Sequence, residues 1–437
     1  MTLGGCRWGD KCWAVAAGLL MTALPVAAQY QSENVDLLSR VSLSEFGAKF
    51  AEDSWGYVSP SGREYAIIGL SNGTGFVEIT DPSNPVIIAV MLQPNRGRDM
   101  KVYQNYVYSS SVSVPTYVYD VANIDQGVIT LVRSISAEAH NLAVDEVSGF
   151  LYLAVGGPMH AYDLSDPSNP LFVGTWPGQT HDARVVTYSD GPYAGRQIAF
   201  VFAGWDGWID IVDVTDKSNM FHVGRSGYPD PYYTHQGWLT ADRHYLYVND
   251  ELDEANGQPT TRTIIIDVSD LSAPFYAGSF TSGWPTTDHN LYVRDGFIFE
   301  ANYASGMHVF DAADPLNPVH VGYFDTYPPS NTMRREGAWN VYPFFPSGTV
   351  IVSDRSGGLF VLDVSAALGG RPGDLNCDGT FNGGDIDPFF LALGDPAAYA
   401  LAFPNCDPLL GDMNGDGRLD GGDIDPFFEC LGGGACP

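Results

Sequence analysis

Short strands recur along most of the chain, and turns rich in Asp, Pro, Ser and Asn separate them. In one unit the segments 140–145, 150–155, 160–164 and 171–176 carry apolar residues at alternate or consecutive positions. β-branched and aromatic residues favour strands, whereas Asp, Asn and Pro favour the bends between them. The segment 166–170, which reads Asp-Pro-Ser-Asn-Pro, is such a bend. The pattern predicts antiparallel sheets of four short strands.

One feature of this unit repeats at a regular interval. The third strand of each unit ends in an acidic residue, and seven such residues follow one another at intervals of 42 to 54: Glu78, Asp120, Asp163, Asp213, Asp267, Asp311 and Asp363. Strand-rich repeats of this length are typical of β-propeller blades. We therefore predict a mainly β fold, a seven-bladed β-propeller over residues 34–365.

The two ends of the repeat array predict how the ring closes. The seventh unit stops after its third strand, at Val364, while an unassigned strand at 35–43 precedes the first unit. Pairing this N-terminal strand into the last blade would complete the blade and cover two open sheet edges.

The segments 211–216 and 265–270, each a strand followed by Asp, Val and Ser or Thr, resemble the LVIVD repeat. This repeat is found in the propellers of the choice-of-anchor B family of exported bacterial proteins. The resemblance covers residues 34–365. It implies a propeller with a separate C-terminal anchoring segment, and it implies a fold rather than an activity.

The first 28 residues have the pattern of a secretory signal peptide. Arg7 and Lys11 precede an apolar run at 12–26, and small residues at 26–28 provide a cleavage site. The run is shorter than the ~20 residues that a membrane-spanning helix needs. We predict a signal peptide at 1–28, no transmembrane anchor, and a secreted, extracellular or cell-surface location in a bacterium.

The cysteines agree with export. Four of the six lie near the C-terminus: Cys377, Cys406, Cys430 and Cys436. Four cysteines in a small exported module indicate two disulfides, with three connectivities open. We predict Cys377–Cys406, which would join the two halves of the module, and Cys430–Cys436, which closes a short loop.

A short Gly- and Pro-containing linker at 366–372 precedes a module at 373–437 that contains two copies of one loop. Oxygen-bearing side chains occupy loop positions one, three, five, nine and twelve, and position seven offers a backbone carbonyl, as in EF-hand loops. The predicted Ca²⁺ ligands are Asp374, Asn376, Asp378, Thr380, Asn382 and Asp385 in the first loop, and Asp412, Asn414, Asp416, Arg418, Asp420 and Asp423 in the second.

This module resembles type I dockerins, in which one helix follows each calcium loop. The resemblance implies two Ca²⁺ ions and attachment to a cohesin-like or cell-surface protein. It also suggests a connection with polysaccharide breakdown. The glycine pairs at 383–384 and 421–422 stand where dockerins often have Ser or Thr, which leaves the identity of the partner open.

Charge narrows the set of partners. The chain carries a net charge of −31, which disfavours nucleic acid and anionic membranes as partners. Residues 373–437 hold twelve acids and one base. A module this small tolerates such repulsion poorly, so we expect it to need calcium to fold.

Four histidines begin the first strand of successive units, and acids follow the second strands. Because these points lie at the same end of a blade, we predict one cluster at the channel mouth: His140, His181, His235, His289, Asp206, Glu251 and Glu300. Histidine and carboxylate together suit a transition metal or acid–base chemistry. Two other interpretations are hydrogen bonding that closes the ring and binding of a non-metal ligand.

These patterns favour a secreted or tethered binding or scaffold protein whose propeller ligand is unidentified. The alternative is a metal-dependent enzyme, a hydrolase or oxidoreductase, at the histidine cluster.

Overall fold

The chain forms a seven-bladed β-propeller followed by three short helices. The computed structural model describes residues 30–111, 113, 115–369, 372–377, 381–404 and 406–433. The predicted signal peptide at 1–28 therefore lies outside the described residues. In the described part, no helix is long and apolar enough to cross a membrane.

The strands of the first four blades follow the chain in order. Blade one contains β3 (Ala51–Val58), β4 (Glu64–Leu70), β5 (Gly73–Glu78) and β6 (Val86–Leu92). Blade two contains β7 (Met100–Tyr103), β8 (Tyr106–Ser109), β9 (Thr116–Asp120) and β10 (Thr130–Ile135). Blade three contains β11 (Asn141–Asp145), β12 (Phe150–Ala154), β13 (Gly157–Asp163) and β14 (Leu171–Thr180). Blade four contains β15 (Asp182–Thr187), β16 (Gln197–Phe202), β17 (Trp208–Asp213) and β18 (Phe221–Gly227).

The last two blades also recruit strands from the N-terminus. Blade five contains β19 (Thr234–Leu239), β20 (Tyr245–Asp250), β21 (Thr263–Asp267) and β22 (Phe275–Phe280). Blade six contains β23 (Asn290–Arg294), β24 (Phe297–Ala301), β25 (Met307–Asp311) and β26 (Val319–Phe324), with β1 (Ser32–Glu33) as a fifth strand. Blade seven contains β27 (Ala338–Tyr342), β28 (Val350–Asp354) and β29 (Gly358–Asp363), completed by β2 (Asp36–Val41).

The predicted closure by an N-terminal strand is confirmed. The antiparallel pairing of β2 with β29 joins Asp36 to Asp363 and Val41 to Leu359. One pairing was not predicted: β1 adds to the outer edge of blade six, where Glu33 lies opposite Tyr323. The N-terminal segment therefore joins two neighbouring blades.

The first strand of each blade lies at the axis. The first strands contact one another in a closed circle, from β3 through β7, β11, β15, β19, β23 and β27 and back to β3. Because alternate residues of a strand face opposite sides of its sheet, each blade packs against both neighbours. Seven separate hydrophobic clusters fill the seven blade interfaces within the described ranges.

The repeated acid at the end of the third strand has a structural role. Asp120, Asp163 and Asp213 each accept a hydrogen bond from the backbone N–H two residues later, at 2.8, 2.6 and 3.0 Å. Asp267, Asp311 and Asp363 do the same in the later blades. This local bond shapes the turn into the fourth strand, which explains why the acid recurs in blade after blade.

The C-terminal residues form a small helical unit. Its helices are α1 (Ile386–Gly394), α2 (Pro396–Ala402) and α3 (Ile424–Leu431). Two helices thus follow the first loop, where one was predicted, because the chain breaks at Asp395 before Pro396 and starts again. The rings of Phe389 and Phe427 stack 4.1 Å apart and join α1 to α3.

The disulfide Cys377–Cys406 is present as predicted. Cys430 is also disulfide-bonded, while Cys436, its predicted partner, lies outside the described residues.

Candidate functional site

The structure brings the four predicted histidines together at one mouth of the channel. Each lies at the start of an inner strand, and the four rings form an arc. Ring centroids are 4.7 Å apart between His140 and His181, 4.3 Å between His181 and His235, and 4.3 Å between His235 and His289.

Burial holds these imidazoles neutral, and hydrogen bonds to backbone carbonyls fix the tautomer of two of them. The Nδ1 of His181 donates to the carbonyl of His235 at 2.9 Å, and that of His289 donates to the carbonyl of Trp339 at 2.6 Å. Burial lowers the pKa of His181 and of His235 to about 3. With Nδ1 protonated, Nε2 is left as the acceptor atom. Two of the rings thus keep an Nε2 lone pair.

These contacts also close the ring, as one interpretation of the histidines predicted. The residues that follow the histidines add further links between neighbouring inner strands. The amide of Asn141 donates to the carbonyl of His181 at 3.0 Å, and that of Gln236 donates to the carbonyl of Leu291 at 3.0 Å. A polar ring therefore lies one residue deeper in the channel than the histidines.

Four arginines at the same mouth were not predicted. Arg96, Arg98 and Arg355 surround the fully buried Glu52, with nitrogen–oxygen distances of 3.1, 3.2 and 3.4 Å. Arg335 approaches Glu251 at 3.9 Å. The arginines lie in connections that differ from blade to blade, so no repeat or spacing in the sequence could have identified them.

Together these side chains line a pocket of about 240 Å³. Its walls include Trp205, Tyr233 and Trp339. Its ionisable lining consists of four arginines, four neutral histidines and two glutamates. The pocket therefore carries an excess of positive charge in a chain whose net charge is −31.

Part of the pocket also has the arrangement of a metal site. Ligand atoms of His235, Glu251 and His289 all lie within 4.8 Å of one another. The hydroxyl of Tyr303 donates to Glu251 at 2.8 Å and fixes that carboxylate. Such outer hydrogen bonds are typical of ligands that hold a transition metal.

Comparison with known proteins identifies the repeats. A family model described as the LVIVD repeat matches residues 138–176, 199–226 and 262–282, which lie in blades three, four and five. The propeller therefore contains LVIVD repeats. No curated protein matches the chain.

Solved structures similar to the LVIVD propeller are distant in sequence, so the two with a TM-score of 0.50 or above support the fold alone. A protein from Lactobacillus plantarum is 12% identical, with a TM-score of 0.51, covering 64% of this chain and 84% of its own. A chain of the mitotic checkpoint complex is 13% identical, with a TM-score of 0.50, covering 83% and 99%. The periplasmic gluconolactonase of Pseudomonas aeruginosa is 13% identical, with a TM-score of 0.49, covering 63% and 85%.

Two acids predicted for the cluster occupy other places in the LVIVD propeller. Asp206 lines a separate depression on blades three and four, with Trp176 and Arg225. Glu300 lies within β24, fully buried, where it accepts hydrogen bonds from the side chains of Thr263 and Asn302. Of the three predicted acids, only Glu251 lines the histidine pocket. The acid position is not equivalent between blades, because Glu300 lies within the second strand, Glu251 directly follows it and Asp206 lies further along the turn.

We expect Glu300→Gln to stabilise the LVIVD propeller above neutral pH. Burial raises the pKa of Glu300 from 4.5 to about 7. The folded state thus holds this proton more tightly than the unfolded chain, so the stability it contributes is lost as pH rises from 4.5 through 7. Glutamine keeps an acceptor for Thr263 without the charge. The free energy of unfolding should rise by up to about 3 kcal/mol at pH 8 and little at pH 5.

Urea unfolding at the two pH values measures this difference. The exposed Glu336→Gln serves as the control and should show no pH-dependent gain. An equal effect of Glu300→Gln at both pH values would contradict the assignment.

The two predicted calcium loops share one hydrogen-bond pattern. Asp385 accepts from the backbone N–H groups of Leu375, Asn376 and Asn382 at 2.9, 3.1 and 2.8 Å. Asp423 accepts from Met413, Asn414 and Asp420 at 2.9, 3.1 and 2.8 Å. Both carboxylates are fully buried.

The donor chemistry of the second loop fits calcium. The side chains of Asp412, Asn414, Asp416 and Asp420 and the carbonyl of Arg418 offer the hard oxygen ligands that Ca²⁺ prefers. Gly417 has a φ of +84°, which suits the sharp turn at loop position six. In the first loop, Asp378 and Thr380 lie outside the described residues.

Proposed function

We propose that this protein binds a small anionic ligand in the pocket formed by the four histidines and four arginines. The observation that carries the proposal is the concentration of basic groups: four of the chain's 21 lysines and arginines line this one pocket of about 240 Å³. Glu52 and Glu251 balance only part of their charge.

The chemistry of the lining suits a carboxylate or phosphate group. Arginine presents paired N–H donors in a plane that matches both anions. The neutral imidazoles add no charge of their own, and His181 and His289 can accept hydrogen bonds from ligand hydroxyls at Nε2. Trp205 is 65% exposed at the rim and can pack against the remainder of a ligand. In a chain with a net charge of −31, a pocket with an excess of arginines favours anions.

A second candidate is a transition-metal centre held by His235, Glu251 and His289. The close approach of their ligand atoms favours it. A bound divalent cation would increase the positive charge of the pocket and would polarise an anionic substrate held by the arginines. This arrangement supports the alternative of a metal-dependent hydrolase or oxidoreductase.

We propose further that residues 373–437 attach the propeller of residues 34–365 through calcium-dependent contacts, with 366–372 as the linker. The buried Asp385 and Asp423 and the repeated loops support a dockerin-like role with a cohesin-like or cell-surface partner. The LVIVD repeats together with this C-terminal module support membership of the choice-of-anchor B family and export from a bacterium. A connection with polysaccharide breakdown rests on the dockerin-like module.

Titration calorimetry with inorganic phosphate and with malonate tests the anion site. We expect Arg335→Ala to weaken binding about tenfold, since one charge-assisted hydrogen bond is worth about 1.5 kcal/mol. The matched control is Arg334→Ala, because Arg334 is the neighbouring residue, pairs with Glu336 and does not line the pocket.

Repeating the titration with Zn²⁺ separates the two candidates. Anion binding without metal, sensitive to Arg335→Ala, supports the binding protein. Binding that requires one equivalent of Zn²⁺ and is lost in His289→Ala, but not in the exposed His244→Ala, supports the metal centre. If neither anion binds with or without Zn²⁺, the proposed function is wrong.

A further inference from the structure

The opposite end of the central channel contains a second, larger cavity. Its volume is about 520 Å³, which lies within the range of small-molecule sites. All seven inner strands run in the same direction, with the histidines at their starts and this cavity towards their ends. The two cavities share no lining residue. Asp182 and Gln236, which directly follow His181 and His235 in the sequence, line this second cavity.

Aromatic rings form one side of this second cavity. Trp55 and Tyr342 meet edge to face with ring centroids 5.0 Å apart, and Trp238 and Tyr292 meet in the same way at 5.0 Å. Phe344 packs against all four of these rings at 5.4 to 6.4 Å. Trp55, Trp238 and Phe344 are each partly exposed, so they offer apolar surface to a ligand.

A positively charged side chain of the protein already lies over each of the two tryptophan rings. The Nζ of Lys101 lies 4.4 Å from the ring centroid of Trp55, and the Cζ of Arg184 lies 3.7 Å from that of Trp238. A cationic ligand would have to displace one of them or lie beside it. Cation–π recognition of a ligand is therefore disfavoured here.

The charges of these two cations are satisfied differently. Lys101 forms an ion pair with Asp99 at 2.5 Å. For Arg184, no side-chain hydrogen bond or ion pair is found among the described residues, and its Nε is buried without a partner. The nearby Asp145 accepts instead from the hydroxyls of Ser148 and Thr187. The charge of Arg184 is balanced only at a distance, by Asp145 and Glu146. An N–H group without a hydrogen-bond partner is costly, and a carboxylate can give a guanidinium two parallel charge-assisted bonds.

We propose that this second cavity binds a small aromatic carboxylate, with its carboxylate on Arg184 and its ring against Trp238 and Phe344. The site is independent of the histidine–arginine pocket, since the polar ring of Asn141 and Gln236 links the inner strands between them. Planar aromatic bodies suit partly exposed rings arranged edge to face. The guanidinium would fix the orientation of the bound ligand, which contact with an apolar surface alone would not do.

Calorimetric titration of the full chain with benzoate tests this proposal. We expect Arg184→Gln to weaken benzoate binding about tenfold or more, because it removes a charge-assisted pair. The control is Arg133→Gln, an exposed arginine on the outer strand β10. Phe344→Ala should weaken benzoate binding without changing its stoichiometry, and thermal unfolding shows whether each variant is folded.

The remaining measurements distinguish this site from the histidine–arginine pocket, and an aromatic carboxylate from other acids as its ligand. The histidine–arginine pocket can also take a carboxylate, so the diagnostic signal is the part of benzoate binding that is lost in Arg184→Gln. Arg335→Ala should leave that part unchanged although it weakens phosphate binding, so each site can fail without the other. Benzoate affinity that is equal in Arg184→Gln and the parent chain overturns the proposal. Binding of glucuronate in preference to benzoate, lost in Arg184→Gln, overturns the aromatic part and identifies a sugar acid as the ligand.

Discussion

A chain that begins at Phe46, and so lacks β1 and β2, is expected to aggregate and to unfold at a lower temperature. Removal of this N-terminal segment takes three buried side chains away from the interfaces of the last blades: Tyr30, Val35 and Val41. At about 2 kcal/mol for each, the loss is roughly 6 kcal/mol. It also exposes the edge of β29, whose unpaired backbone groups can pair with another chain.

Size-exclusion chromatography and thermal unfolding compare this truncation with a chain that begins at Tyr30. Asp36→Asn is the control, because Asp36 is an exposed residue of β2 and its substitution leaves the strand in place. A truncated chain that stays monomeric and melts at the parental temperature would mean that the ring does not depend on this strand.

Removal of calcium is expected to unfold residues 373–437 while the propeller stays folded. The module has a single basic residue, Arg418, which lies in the second loop. Trypsin should therefore cut there only when the loop opens, and we expect a chelator to increase the rate of that cut at least about tenfold, equivalent to about 1.4 kcal/mol of loop stability.

Variants of the second loop give the same prediction a structural test. Asp423→Ala removes three hydrogen bonds to backbone N–H groups and should leave Arg418 cleavable even with Ca²⁺ present. Asp425→Ala, an exposed residue on α3 outside the loop, should keep the protection. Protection from trypsin that does not change when a chelator is added would contradict the calcium assignment. Protection that Mg²⁺ restores as well as Ca²⁺ does would also contradict it.

The histidine arc could be predicted because it depends on repeat position. His140, His181, His235 and His289 each begin an inner strand, and equivalent positions of successive blades meet near the axis of a propeller. The same argument failed for Asp206 and Glu300. Asp206 lies in the turn after β16, whereas Glu300 lies within β24, so a similar position in the sequence does not place their side chains at one point.

The sequence by itself determined the number of blades, the closing strand and the two loops. Each rests on local chemistry: a strand pattern, an Asp that bonds the backbone two residues later, or an ordered set of oxygen-bearing side chains. Only the tertiary structure decided which unrelated connections meet. Arg96, Arg98, Arg335 and Arg355 come from loops without a common motif, and Arg184, whose Nε lacks a hydrogen-bond partner, is recognised only by what surrounds it. Ring closure brings such residues together, and no local pattern encodes that distance.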